Sequence, residues 1–355
     1  MPPKEPSKAR LRAMATELGF QAFGIAPVCL PLRREYFLRW LAGGYHGAML
    51  WMERNNDRRL QPPHFLPGAQ SILMLGLDSH QPAPRASYTI ARYALGTDYH
   101  NFILKRLKKL CALMRELGGE QRPCVDTAPV MEKAIAAHAG IGWQGKSTLL
   151  INRKLGGWLL LGTIFTTLSL EPDEPERDNC GSCTRCIDTC PTGAITAPWQ
   201  LDTRRCLSAI NKQPGDIPEA FRPLMGKRIF GCDACIEACP WGNRPRTSTE
   251  ECLTPRALPQ RLRDTLEWTE ADFLNAFSGT AVKRLGLSNW LRNACIVLGN
   301  TGTDEDLPAL QKHAAGRDAF VAHYAIWAME RILARTPCAS AAPRPQISFP
   351  ETTGS

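Results

Sequence analysis

Two short stretches of the chain are apolar almost without interruption, and three longer ones follow a helical period. Ser71-Ile-Leu-Met-Leu-Gly-Leu and Gly157-Trp-Leu-Leu-Leu-Gly-Thr-Ile-Phe are too short for ordinary helices, so they predict buried strands. Between them, the segment from Tyr99 to Leu117 sets Phe102, Leu104, Leu107, Leu110 and Met114 on one helical face. Its other face carries Lys105, Arg106, Lys108 and Lys109, the make-up of a solvated helix surface. Downstream, Asn289 to Leu298 and Ala319 to Leu333 repeat the helical period, with similar texture around Arg292-Asn-Ala and His323-Tyr-Ala. A short HEAT-like helical repeat is the expected arrangement.

Polar segments divide these elements. Glu171-Pro-Asp-Glu-Pro-Glu-Arg-Asp is acidic and proline-bearing, as linkers are. From Pro337 onward the chain is rich in Ala, Pro, Ser and Thr, a composition expected to stay disordered. The pattern predicts an α+β, multi-domain chain. Residues 1–168 form a mixed α/β domain with flanking helices on a mixed sheet, 169–250 a cysteine-rich domain, 251–336 an all-α domain, and 337–355 a tail.

The 355 residues are enough for several cores. A net charge of +9 suits an anionic partner, nucleic acid above all, but over this length it is equally ordinary surface charge. The N-terminal segment lacks the apolar core of a signal peptide, and the run from Trp158 to Phe165 is too short for a bilayer. A soluble, cytoplasmic, monomeric protein without membrane contacts is therefore expected.

Cysteine placement changes the picture. Of fourteen cysteines, six stand singly (Cys29, Cys111, Cys124, Cys252, Cys295, Cys338), as buried small hydrophobes do. The rest gather between Cys180 and Cys239, where metal ligation is a better reading than disulfides. Cys180-x2-Cys183-x2-Cys186-x3-Cys190-Pro191 is the bacterial ferredoxin run: three close thiolates wrap one cubane and the fourth is aimed at a second. Cys232-x2-Cys235-x3-Cys239-Pro240 is the same run with Ile229 where its first cysteine would stand. Cys206 is the nearby unassigned thiol. Crossing the fourth ligands, as in two-cluster ferredoxins, gives Cys180, Cys183, Cys186 and Cys239 to one [4Fe–4S] cluster. Cys190, Cys206, Cys232 and Cys235 fall to the other. Zinc also takes four cysteines, but rarely three at successive two-residue gaps before Cys-Pro.

Further marks run in order along the chain: Leu18-Gly-Phe-Gln-Ala-Phe-Gly-Ile, Tyr45-His-Gly-Ala-Met, Arg92-Tyr-Ala-Leu-Gly-Thr-Asp-Tyr-His and Val125-Asp-Thr-Ala-Pro-Val. Gly140-Ile-Gly-Trp-Gln-Gly-Lys-Ser-Thr, Arg222-Pro-Leu-Met-Gly and Trp290-Leu-Arg-Asn follow. With both cysteine groups, they resemble the epoxyqueuosine reductase family from about residue 8 to 336. The resemblance implies reduction of the epoxide of epoxyqueuosine, at the wobble position of tRNA, to the alkene of queuosine. It also implies that the first domain binds cobalamin, and that an electron donor, not identified by the residues, feeds the two ferredoxin-like clusters. Asp126 matches the family's proton donor, and an aspartate acting as an acid near neutral pH is expected to have a raised pKa. Tyr99 and His100 are candidates for proton relay or substrate positioning. Cobalamin contacts carried over are Arg54, Asp126, Leu150, Leu161, Gln213 and Asp233. Around Gln213, the run Ser208-Ala-Ile-Asn-Lys-Gln departs from the family's usual pattern. Lys283, Arg284 and Arg292, with the Lys105 to Lys109 face, are the candidate tRNA contacts. A corrinoid reductive dehalogenase-like enzyme, or a ferredoxin-type carrier without its own substrate, are the competing readings. The first would be expected to carry a secretion signal, and the second would not need the first 168 residues.

Overall fold

The computed structural model describes residues 8–28, 33–242 and 247–335. The expected tail at 337–355, and Cys29 and Cys338, lie outside them. Both continuously apolar runs are strands, Ser71–Asp78 and Leu159–Thr166, and they pair with each other at the centre of a four-stranded sheet. Ala22–Pro27 flanks the first and Gln121–Cys124 the second. All three pairings are antiparallel, so the first zone is α+β and its main sheet is not mixed.

Helices on both faces explain the unbroken apolar runs. Leu73, Leu75 and Leu77 face one core with Leu107, Leu110 and Met114 of the Tyr99–Arg115 helix and Leu11 of the Lys8–Glu17 helix. Ile72 and Met74 face the other, under Ala134, Ile135 and Ala136 of the Glu132–His138 helix. Alternate side chains thus enter different cores, and no position in Ser71–Asp78 is left for a polar solvent face. On the Tyr99–Arg115 helix, Lys105, Lys108 and Lys109 are exposed, whereas Arg106 makes a two-pronged ion pair with Glu250 at 2.6 and 3.0 Å.

The acidic segment after Leu170 is more than a spacer. Asp173 accepts a hydrogen bond from the Ile25 backbone N–H at 2.9 Å, and its own N–H donates to the Ile25 carbonyl at 2.8 Å. Lys8 lies 2.6 Å from the same carboxylate. The segment therefore covers the free edge of the sheet, where unpaired backbone groups would otherwise invite another strand.

Beyond residue 251 the described chain is helical, dominated by the packed pair Leu287–Thr301 and Ala319–Arg335. Their core reaches back in sequence: it includes Tyr88, Ile90, Leu207, Ile229 and Phe230. Ile229, at the position where a cysteine is missing, is fully buried in a short strand, Arg228–Phe230, parallel to Thr89–Ile90. Among the described residues, no helix is long and apolar enough to cross a membrane.

Candidate active site

The eight clustered cysteines gather into two neighbouring nests. Cys180, Cys183, Cys186 and Cys239 line one cavity, floored by Lys146 and Ile151 and walled by Trp241. The backbone approaches closely there: a Cβ on Gly145 would lie 2.4 Å from Ile151 Cδ1 and 3.5 Å from Cys180 Sγ. Lys146, 9% exposed, donates to the carbonyls of Gly181 at 2.6 Å and Cys183 at 3.0 Å. Burial pushes the Cys180 thiol up, while the Lys146 N–H and the Trp143 side chain favour its thiolate.

The second nest is assembled from separate segments. Burial raises the pKa of Cys206, at the start of the Leu207–Ile210 helix, and Cys190 raises it further. Cys206 in turn acts on both Cys232 and Cys235. Burial would push Cys190 up as well, but the N–H groups of Thr192, Ile195 and Ala194 outweigh it and lower the thiol pKa. One of these, Ala194 N–H, lies 3.2 Å from Cys190 Sγ. Thiols that converge in fours and collect backbone donors suit sulfur ligands held as thiolates. Cys186 also acts on Cys235, so the two nests adjoin.

Arg292 is not a surface residue. It is 0% exposed, where a tRNA contact was expected, and it ties the loop after Cys206 to the helical core. Its guanidinium donates to the carbonyls of Gln213 at 2.9 Å and Gly215, and to Asn293 Oδ1 at 2.9 Å. Taking a guanidinium out of water costs on the order of several kcal/mol, which these acceptors offset. Burial lowers its pKa to about 10. Asn293 beside it donates to the carbonyls of Asn211 at 2.7 Å and Ile229 at 2.8 Å. Asn211 then holds both backbone groups of Gly231, next to Cys232. A side chain on Gly231 (φ +69°) would place its Cβ 2.5 Å from that of Ala91.

Asp126 stands in the turn after the Gln121–Cys124 strand with φ +46°, a left-handed conformation that non-glycine residues hold at a cost. Glu132 accepts a hydrogen bond from its N–H at 2.8 Å, pinning that turn. The carboxylate faces His100 Nε2 at 3.0 Å, and His100 Nδ1 lies 2.6 Å from Asp98. The Arg284 guanidinium reaches Asp98 from the helical zone at 2.5 Å. Tyr99 stacks on His100 and hydrogen-bonds Asp126. Tyr99, His100 and Asp126 are thus brought together, and Arg284 joins them. Asp98, Glu132 and Lys133 are members that sequence reasoning missed. Asp98 had a signal, since it is the helix-capping aspartate in Thr-Asp-Tyr-His.

The pKa of Asp126 runs opposite to expectation. Its hydrogen bond to His100 holds the carboxyl below its ordinary value, against the upward pull of burial. Burial would lower His100, but hydrogen bonds and charge from Asp126 and Asp98 raise it instead. Burial, then the Asp126 charge, lifts Glu132 to about 8. Proton affinity is therefore raised at His100 and Glu132 and lowered at Asp126 between them.

The Asp126 side chain is 57% exposed and Lys133 is open to solvent, yet protein crowds Lys133 enough for burial to lower its pKa. Asp126, Glu132, Cys235 and Cys206 all act on the Lys133 charge, so the acid group and the second nest are neighbours. Asp233 accepts from the Arg92 N–H at 2.8 Å, and burial raises it to about 6. Leu161 is half-buried against the core under the Glu132–His138 helix, and Leu150 is buried in that core. Gln213 is placed by its carbonyl bond to Arg292. Arg54 is exposed after the Leu50–Met52 turn and shares no contact with the acid group, and Lys283 is exposed beside Arg284.

A family model described as "4Fe-4S double cluster binding domain" matches residues 179–242, and one described as "Epoxyqueuosine reductase QueG, DUF1730" matches residues 59–127. The epoxyqueuosine reductase of Xanthomonas campestris pv. campestris is 39% identical, over 90% of this chain and 95% of its own length. A crystal structure of epoxyqueuosine reductase with a tRNA-Tyr epoxyqueuosine-modified stem loop superposes with TM-score 0.85 at 28% identity, covering 92% of this chain and 90% of that one. The Bacillus subtilis enzyme, captured with its catalytic aspartate loop swung out of the active site, gives TM-score 0.84 at 27% identity, with 92% and 90% covered. Paired thiol nests, the acid group beside them and near full-length identity agree: the chain belongs to the epoxyqueuosine reductase family.

Proposed function

We propose that this chain reduces epoxyqueuosine in tRNA to queuosine with Asp126 as the proton donor, reloaded from His100. The observation that carries this reading is the juxtaposition of an aspartate on a constrained turn with a histidine of raised proton affinity, the second thiol nest being their neighbour. Opening the epoxide to an alkene breaks two C–O bonds and releases the oxygen as water, consuming two electrons and two protons. Cys180, Cys183, Cys186 and Cys239 hold one [4Fe–4S] cluster and Cys190, Cys206, Cys232 and Cys235 the other in this reading, and the adjoining nests pass electrons inward from a donor protein.

The donor set between the acid group and the second nest suits cobalamin: Lys133 and Asp126 are solvent-accessible and able to pair with the amides of a corrin, and Asp233 and half-buried Leu161 are carried over from the family resemblance. Gln213, Leu150 and Arg54 are carried over as contacts from the family resemblance, Arg54 from an exposed turn away from the acid group. When bound, cobalamin supplies the low-potential reducing centre. The chain supplies the protons. His100 Nε2 passes one to Asp126 Oδ2, which gives it to the departing oxygen, because an unprotonated alkoxide is a costly leaving group. Glu132, protonated up to about pH 8, stands beside Asp126 as the second source. Because the raised His100 holds the working proton, activity is full below its pKa and falls as pH rises through it. The tRNA docks on Lys283, Arg284 and the exposed Lys105, Lys108 and Lys109, with the helical pair as a HEAT-like support. A tRNA substrate places the work in the cytoplasm.

The test is anaerobic reconstitution with iron, sulfide and cobalamin, followed by tRNA carrying epoxyqueuosine, with queuosine measured by nucleoside mass spectrometry. Asp126→Asn should keep both cofactors and lose at least about 100-fold in single-turnover rate, the usual scale for a general acid. Near-normal turnover by that variant would remove Asp126 from its role.

A further inference from the structure

Arg284 is placed for more than phosphate. Its guanidinium meets Asp98 Oδ2 at 2.5 Å, while Asp98 Oδ1 takes His100 Nδ1 at 2.6 Å and His100 Nε2 faces Asp126 at 3.0 Å. Four ionisable groups are therefore linked in a chain from the helical zone to the acid: a guanidinium 61% exposed, a carboxylate 8% exposed, an imidazole 18% exposed and the Asp126 carboxylate. Asp98 is fixed at this junction. It caps the Tyr99–Arg115 helix, and its N–H donates to the Gly279 carbonyl at 2.8 Å. The other charged or titratable groups facing the line are Tyr99, stacked on the imidazole, and Glu132 and Lys133, beside Asp126.

We propose that Arg284 is a positioning residue of the acid group: by neutralising Asp98 it loosens the grip of His100 on its proton, so that the proton can reach Asp126. An imidazolium between two free carboxylates keeps its proton. With one carboxylate already engaged by a guanidinium, the pull from that side weakens and transfer toward the other becomes easier. The inference draws its catalytic meaning from the proposed role of Asp126, but its electrostatic content stands apart from turnover.

Diethyl pyrocarbonate, which acylates histidine only in its neutral form, reads that content directly. The cluster-loaded protein is treated anaerobically across a pH series, and modification of His100 is followed by peptide mass spectrometry. Arg284→Met should move the midpoint for His100 up by about half a pH unit, a modest shift because water screens an exposed guanidinium. Asp98→Asn should move it down by about one unit or more, and Arg284→Lys should stay near the wild type. Iron content shows whether each variant is folded, and Arg284→Met and Arg284→Lys carry the test if Asp98→Asn does not fold. An unchanged midpoint in a folded Arg284→Met overturns the inference, whatever its turnover. In single turnovers with pre-reduced enzyme, the alkaline limb of the Arg284→Met profile should move up with the midpoint, at a lower plateau. A limb that stays put, or a flat wild-type profile, overturns the catalytic part. Failure of Asp126→Asn to lose activity strikes the proposed acid alone and leaves the His100 midpoints standing.

Discussion

The two cysteine nests differ in how they are built. The first takes three thiols from one short segment, Cys180 to Cys186, with Cys239 from the later run, and the contacts that shape it reach that segment directly: a backbone approach at Gly145, and Lys146 holding the segment's own carbonyls. The second draws Cys190, Cys206 and the Cys232/Cys235 pair from separate segments, and what aligns them lies elsewhere. Asn293 and Arg292, on a helix that carries no ligand, hold the chain at Asn211, Gln213 and Ile229, and Asn211 holds Gly231. The helical end of the protein is thus a structural part of the second nest. A nest built from a loop depends on the loop, and a nest built from distant segments depends on the core that joins them.

The largest expected effect comes from removing the most distant of the proposed ligands. Cys206→Ser should cut iron content by about half, leave the first cluster's spectrum intact and abolish turnover, as checked by iron analysis and electron paramagnetic resonance. Loss of both clusters together would show that the nests are not separately built. Asn293→Ala tests the helical clamp: it strands the carbonyls of Asn211 and Ile229, costs about 2–3 kcal/mol and should deplete the second cluster selectively. Equal loss from the two clusters would erase the comparison. The smallest effect is expected from Lys146→Met, which takes an ammonium from beside the first nest. Its cluster should become harder to reduce by on the order of tens of millivolts, with the second cluster unmoved in a redox titration.

Much of this was legible in the residues. The apolar runs at Ser71 and Gly157, the amphipathic segment after Tyr99 and the first cysteine run each carry their signal within a short window, and each is an element in the structure. The antiparallel pairing was not legible, because an antiparallel sheet with helices on both faces reads like a parallel one. Arg292 was misread for a related reason. A basic residue on an amphipathic helix signals solvent, unless the carbonyls of a distant loop arrive to replace the water.

Asp126 shows the same division at the site. The family resemblance pointed to a proton donor there, and its turn leaves the side chain exposed. The direction of its pKa was set by His100 and Tyr99 at the head of another helix and by Lys133, against burial. Periodicity and ligand spacing are properties of neighbours along the chain, so the sequence alone determined the elements, the cysteine chemistry and the family. Burial and charge act through space and sum over groups far apart in sequence, so only the tertiary structure decided which arginine is buried and which way each proton-binding group is shifted.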